Sequence, residues 1–187
     1  MATLIASDPL IEALMKVEGK AEIINGEIVE FMSTGGKPSY AALRIAASLM
    51  LYSDTLSEGV AFGDNAGFLC DLSNRKSFSP DAAFYIGPPI DMGFMPIPPV
   101  FAVEVRSEND YGRRAEVAIR AKIADYFAAG TLVVWDVDLD GENEIVAKYL
   151  ASDPHYPQFF GKGEIADAEP AVPGWPMPVD ALFARAA

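Results

Sequence analysis

The chain has 187 residues, 51% of them apolar and 22% charged, which is enough apolar material for a packed core and excludes a disordered chain. Fourteen Lys and Arg against 27 Asp and Glu give a formal net charge of −13. That balance excludes a nucleic-acid platform over most of the surface, while excess carboxylate is compatible with divalent-cation binding.

The length suits one domain over residues 1–187. Asp8-Pro9 is a helix start, with an N-cap before Pro at the first helical position. The apolar spacing of Leu10, Ile11, Leu14, Met15 and Val17 predicts a helix over 8–18, stopped by Gly19. Ala21–Ile24 and Ile28–Met32 read as strands joined by Asn25-Gly26, a strong hairpin signal. Gly35-Gly36 and Pro38 break the chain before a helix expected over 39–56, with Leu43, Ala46, Ala47, Met50 and Leu51 on its apolar face. Short strands are expected at Val60–Phe62, Ala66–Leu69 and Asp81–Ile86, followed by a Pro-rich loop over 87–99.

Val100–Val105 is an apolar run interrupted by Glu104 and reads as a central strand. The longest helix signal covers 110–129, with Gly130 as its C-cap. Leu132–Val137 reads as a buried strand, 138–143 as a turn and Glu144–Leu150 as a returning strand. The remainder reads as irregular and Pro-rich, closing with a short helix at Val179–Ala184. This order favours an α/β fold, one mixed central sheet flanked by helices with an N-terminal hairpin.

Cys70 stands alone in the apolar run Gly67-Phe68-Leu69-Cys70 and reads as a buried thiol, which points to a cytoplasmic protein. No window approaches the ~20 apolar residues of a membrane span. The N-terminus lacks a signal-peptide pattern, so no membrane partner is expected.

Two acids stand out by their surroundings. Asp81 opens Ala-Ala-Phe-Tyr-Ile, and Glu104 lies inside Phe-Ala-Val-Glu-Val. A carboxylate in such a strand is costly to bury unless something pairs or binds it. Two on neighbouring strands can hold a hard divalent cation that activates water and stabilises phosphoryl charge. Lys122 and Tyr126 share a face of the long helix. Lys122 lies among Ala118, Ile119, Ala121, Ile123 and Ala124. It either points at the acids, where it would position water or neutralise charge, or snorkels to solvent.

Three segments then resemble a known family: Ser79-Pro80-Asp81-Ala82-Ala83-Phe84, Phe101-Ala102-Val103-Glu104-Val105-Arg106-Ser107, and Lys122-Ile123-Ala124-Asp125-Tyr126 with Ala129-Gly130. Together with Glu22-Ile23-Ile24-Asn25-Gly26-Glu27 and Pro173-Gly174-Trp175, they resemble the Uma-type, restriction-endonuclease-like family of the PD-(D/E)XK class. The resemblance implies a nuclease core, Mg²⁺ or Mn²⁺, DNA as substrate and phosphodiester hydrolysis. It implies that Asp81 and Glu104 are metal ligands and that Lys122 is the motif lysine moved onto the helix. Glu22 either completes the site or is an exposed hairpin charge. A homodimer is implied by analogy only.

Three positions depart from the family pattern. Arg106 stands where the class has Lys, and is a second site cation or an outward charge. Ser107 leads to Glu108 rather than Pro. Lys37-Pro38-Ser39-Tyr40 lacks the family's customary His. These departures, with the acidic charge, leave a catalytically impaired binding or assembly module as the alternative. Lys37, Arg44, Arg75, Lys76, Arg113, Arg114 and Arg120 would favour DNA if they gathered round the acids. His155 reads as a surface loop residue, and Asp136, Asp138 and Asp140 as a solvated strand end and turn lacking the calcium-loop pattern.

Overall fold

The computed structural model describes residues 8–141 and 145–183. Asp8 accepts a hydrogen bond from the Leu10 N–H at 2.9 Å and Pro9 starts α1 (Pro9–Leu14). Ile11 and Leu14 of α1 pack on Ala21 and Ile23 of the hairpin β1 (Ala21–Ile24) and β2 (Glu27–Glu30). Asn25 and Gly26 both take positive φ, 52° and 78°, the left-handed pair that a tight two-residue hairpin turn requires.

The central sheet has six strands in the order β10-β9-β8-β7-β6-β3. These are β3 (Val60–Phe62), β6 (Ala82–Tyr85), β7 (Phe101–Val105), β8 (Val133–Val137), β9 (Val146–Leu150) and β10 (Asp153–Phe160). Only β7 and β8 run parallel. A parallel pair needs a crossover, which α3 (Arg113–Ala129) supplies. Gly130, at φ 109°, ends that helix in the left-handed conformation. The helix α2 (Gly36–Ser53) covers one face, over Phe84, Phe101, Val103 and Trp135. The other face, with Ala83, Tyr85, Ala102 and Val134, meets Ile123 and Tyr126 of α3. With both faces covered, β7 and β8 read as apolar runs. Two small pairs complete the fold, β4 (Phe68–Leu69) with β5 (Ser77–Phe78) and β11 (Ile165–Ala168) with β12 (Val172–Pro178), before a 3₁₀ turn at Val179–Leu182.

The α/β class, central mixed sheet and hairpin agree with the expectation, but α1 ends at Leu14 rather than at 18 and four further details differ. First, α2 starts at Gly36 rather than 39, because Pro38 sits within the first turn, where its missing N–H has no partner to lose. Second, α2 buries Ala41, Ala42, Ile45 and Leu49, whereas Leu43, Met50 and Leu51 are exposed; the helix carries two apolar stripes, and only docking selects one. Third, the stretch expected to be irregular forms β10, β11 and β12. Pro154 and Pro157 are tolerated because β10 is the sheet's edge. Fourth, β5 was not expected, and α3 begins three residues later than the signal. Glu144, the start of the expected returning strand, and Ala184, the end of the expected last helix, lie outside the described residues. No described helix is long and apolar enough to cross a membrane.

Candidate metal centre

The antiparallel register of β6 and β7 pairs Ala82 with Val103 and Ala83 with Ala102. The pairing stops there, and Asp81, just before β6, lies near enough to Glu104 of β7 for their charges to repel. The Asp81 N–H donates to the Val103 carbonyl at 2.9 Å. The Val105 N–H donates to Asp81 Oδ2 at 2.6 Å, fixing the carboxylate.

From above, α3 delivers the rest. Lys122 Nζ lies 2.8 Å from Glu104 Oε1 and 2.9 Å from Glu22 Oε1. One turn on, the Tyr126 hydroxyl donates to Glu104 Oε1 at 2.7 Å, while its ring stacks on Phe78 at 4.1 Å. Glu22 is fully buried, so the exposed-charge alternative is excluded. Its Oε1 also accepts the Ser79 N–H at 2.9 Å, and its Oε2 pairs with Arg75. Arg75 Nε in turn donates to Asp125 Oδ2 at 2.9 Å. Glu22 therefore ties the hairpin, the β5–β6 connection and α3 together and has no oxygen turned toward open space.

Lys20 was not anticipated. Its Nζ donates to Asp81 Oδ1 and, at 2.8 Å, to Asp64 Oδ1. A signal was present: Lys20 lies two residues before Glu22, and extended chain places alternate residues on one face.

The electrostatics follow from burial and pairing. For Glu22, burial alone would raise the pKa, but the Lys122 and Arg75 charges outweigh it and hold the carboxyl below its usual range. Glu104 goes the other way. Burial pushes its pKa up, with Asp81 and Glu22 adding and Lys122 and Lys20 opposing. Burial disfavours the Lys122 ammonium, yet Glu104 and Glu22 reverse this and raise its pKa.

Arg106 does not join the centre. It pairs with Asp136 at 2.7 Å and with Glu116 of α3, so it ties β7, β8 and that helix. Asp136 is thus a buried partner rather than a solvated strand end, because the register sets it beside Glu104 in the sheet interior. Of the basic residues weighed as DNA contacts, Arg75 reaches the centre through Glu22, but others do not. Lys76 pairs with Asp71, Lys37 with Asp140, and Arg44 donates to the Ala181 carbonyl. His155 lies in β10, three strands from β7 in the sheet order.

Three cations (Lys20, Arg75, Lys122) face five carboxylates (Glu22, Asp64, Asp81, Glu104, Asp125), leaving a surplus of two negative charges. Among the described residues, no three His, Cys, Asp or Glu side chains form a ready-made metal cage. Mg²⁺ does not require one, since it is commonly held by one or two carboxylates together with water and substrate phosphates. The all-oxygen pair Asp81 and Glu104 fits such a hard cation rather than a tetrahedral zinc site.

The fold is a mixed α/β sheet flanked by helices, with Glu104, Glu22 and Lys122 clustered between sheet, hairpin and α3. The family model described as "putative restriction endonuclease", Uma2, matches residues 10–180. The chain belongs to that family. It is also similar to a solved structure from Anabaena variabilis, titled a putative nuclease belonging to DUF820. The TM-score is 0.71 at 18% identity, covering 94% of this chain and 98% of that one. That likeness concerns the fold. No curated protein matches.

Proposed function

We propose that this chain is a metal-dependent endonuclease hydrolysing DNA phosphodiester bonds at the Asp81–Glu104–Lys122 centre. One observation carries the reading: the leading end of β6, β7 and α3 bring these three residues together on one face of the sheet. Membership of a family described as restriction endonucleases supports the substrate class.

Asp81 and Glu104 would hold Mg²⁺ or Mn²⁺. Such an ion supplies Lewis-acid stabilisation of phosphoryl oxygen and a more acidic water. Lys122, kept protonated by Glu104 and Glu22, places a fixed positive charge beside the reacting phosphate. Tyr126 orients Glu104 by its hydroxyl. Glu22, with both oxygens committed, acts as a positioning residue for Lys122 and Arg75 rather than as a metal ligand.

Plasmid cleavage with Mg²⁺ or Mn²⁺ tests the proposal. Wild type is expected to nick or linearise the plasmid and to stop in EDTA. Asp81→Asn and Glu104→Gln should each lose at least ~100-fold, and Lys122→Ala about as much. Cutting that survives EDTA, or survives both carboxylate substitutions, would refute the assignment.

A specific observation favours the second reading, a non-catalytic binding module. Every cation at the centre is already paired with a carboxylate. At about 100° per residue, Arg113 and Arg120 also fall on the side of α3 away from Lys122. In that case clean wild type would bind Mn²⁺ and cut no DNA.

A further inference from the structure

We infer that Lys20 competes with the divalent ion for Asp81, and that the ion can bind only when the Lys20 ammonium withdraws onto Asp64. The inference rests on the reading that Asp81 is a metal ligand.

Asp81 has two oxygens with separate duties. Oδ2 accepts the Val105 N–H at 2.6 Å, a bond that anchors the carboxylate to β7. Oδ1 remains to take a cation, and Lys20 Nζ is bonded to it. The same Nζ lies 2.8 Å from Asp64 Oδ1. An ammonium group and a divalent ion drawn to one oxygen in a partly enclosed site repel each other where water screens poorly, so each weakens the other's hold. The enclosure is real: the Asp81 and Lys20 side chains are 16% and 19% exposed.

Lys20 also has somewhere to go. Asp64 follows β3, and its side chain is 45% exposed. The Asn65 N–H donates to Asp64 Oδ1 at 2.7 Å, which holds that carboxylate in place independently of Lys20. At its root Lys20 is fixed, because its carbonyl accepts the Phe31 N–H at 2.9 Å beside the hairpin ladder. Only the flexible four-carbon stem has to move. The device keeps Asp81 neutralised until a metal arrives and sets a threshold concentration for loading the centre.

The test is Mn²⁺ binding to the full chain without DNA, followed by isothermal titration and by the loss of the free-ion electron paramagnetic resonance signal. Lys20→Met, which keeps the stem and removes the charge, should bind Mn²⁺ about tenfold more tightly than wild type. Lys20→Gln, a second neutral variant, should behave likewise if Met perturbs packing. Asp64→Asn should weaken binding several-fold in the wild-type background and have a smaller effect beside Lys20→Met, since the two residues act as a pair. Asp81→Asn should abolish binding in every background.

If both Lys20 variants bind Mn²⁺ no more tightly than wild type while Asp81→Asn still abolishes binding, the competition is refuted and the metal site stands. If neither wild type nor the Lys20 variants bind Mn²⁺, the metal reading falls and the competition with it. A misfolded variant would not yield tighter binding that depends on Asp81.

Discussion

Glu22 shows how much one residue organises. It is fully buried and accepts from Arg75 and Ser79, which flank β5, and from Lys122 on α3. Burial opposes its charge, but Lys122 and Arg75 prevail and its pKa is lowered. A carboxyl whose folded pKa lies below its unfolded value of about 4.3 stabilises the protein above that value, and the contribution is lost as pH falls through the folded pKa. Denaturant titrations should therefore show wild type losing stability below about pH 4.3. Glu22→Gln should be weaker by about 3 kcal/mol at pH 7, because Arg75 and Lys122 each lose one of their two carboxylate partners in a largely buried network. It should also have a flatter acid profile, and a Glu22→Gln as stable as wild type would contradict this account. Glu104 carries the opposite sign. Its raised pKa means its ionisation costs stability as pH rises above the unfolded value. A bound cation would relieve that cost.

The two long helices are attached by different means. Helix α2 buries four residues, Ala41, Ala42, Ile45 and Leu49, and its hold on the sheet is apolar. Helix α3 buries only Ile123 and Tyr126, and it adds polar ties through Lys122, Asp125, Tyr126 and Glu116. Regions with few buried apolar contacts open first. Hydrogen exchange should therefore find the central amides of α3 less protected than those of α2. The gap should widen in 1 M salt, where the partly exposed Glu116–Arg106 pair is screened. Equal protection in both helices would show that the ion pairs contribute more than their exposure suggests. Of the two long helices, the one that carries Lys122 is therefore expected to open first.

Charge sets the constraint on the whole molecule. The chain carries −13 overall, and Arg75, Lys122 and Lys20 are spent on carboxylates. The exposed Arg113, Arg114 and Arg120 lie on α3, and Lys37 and Lys76 are matched to acids elsewhere. Few side chains remain to displace counterions from a duplex. Binding to non-cognate DNA in EDTA should therefore be weak. The slope of log K against log salt should be shallow, on the order of −2, rather than the roughly −6 or steeper of a protein with many phosphate contacts. Fluorescence anisotropy over a salt series checks this. A steep slope would require a basic face that the observed pairing does not provide. Added Mn²⁺ should tighten DNA binding if the metal joins protein to phosphate.

The sequence by itself determined what depends on local chemistry. Asn25-Gly26 specified the hairpin, Asp8-Pro9 and Gly130 marked helix ends, and the apolar runs around Glu104 and Asp136 announced strands covered on both faces. It also singled out Asp81, Glu104 and Lys122, because charged groups inside apolar segments are conspicuous on energetic grounds. Glu22 was left between two readings, since hairpin position alone does not say which face is covered. Tertiary structure decided the rest. Docking chose which stripe of α2 was buried, and pairing of β10 with the sheet edge and of β11 with β12 turned a Pro-rich tail into three strands. Lys20 and Asp64 lie 44 residues apart along the chain, and Arg75 and Glu22 lie 53 apart. No periodicity or turn rule acts over such distances. Those ion pairs exist because burying the apolar faces brings the charges together, and charges brought out of water must then find partners.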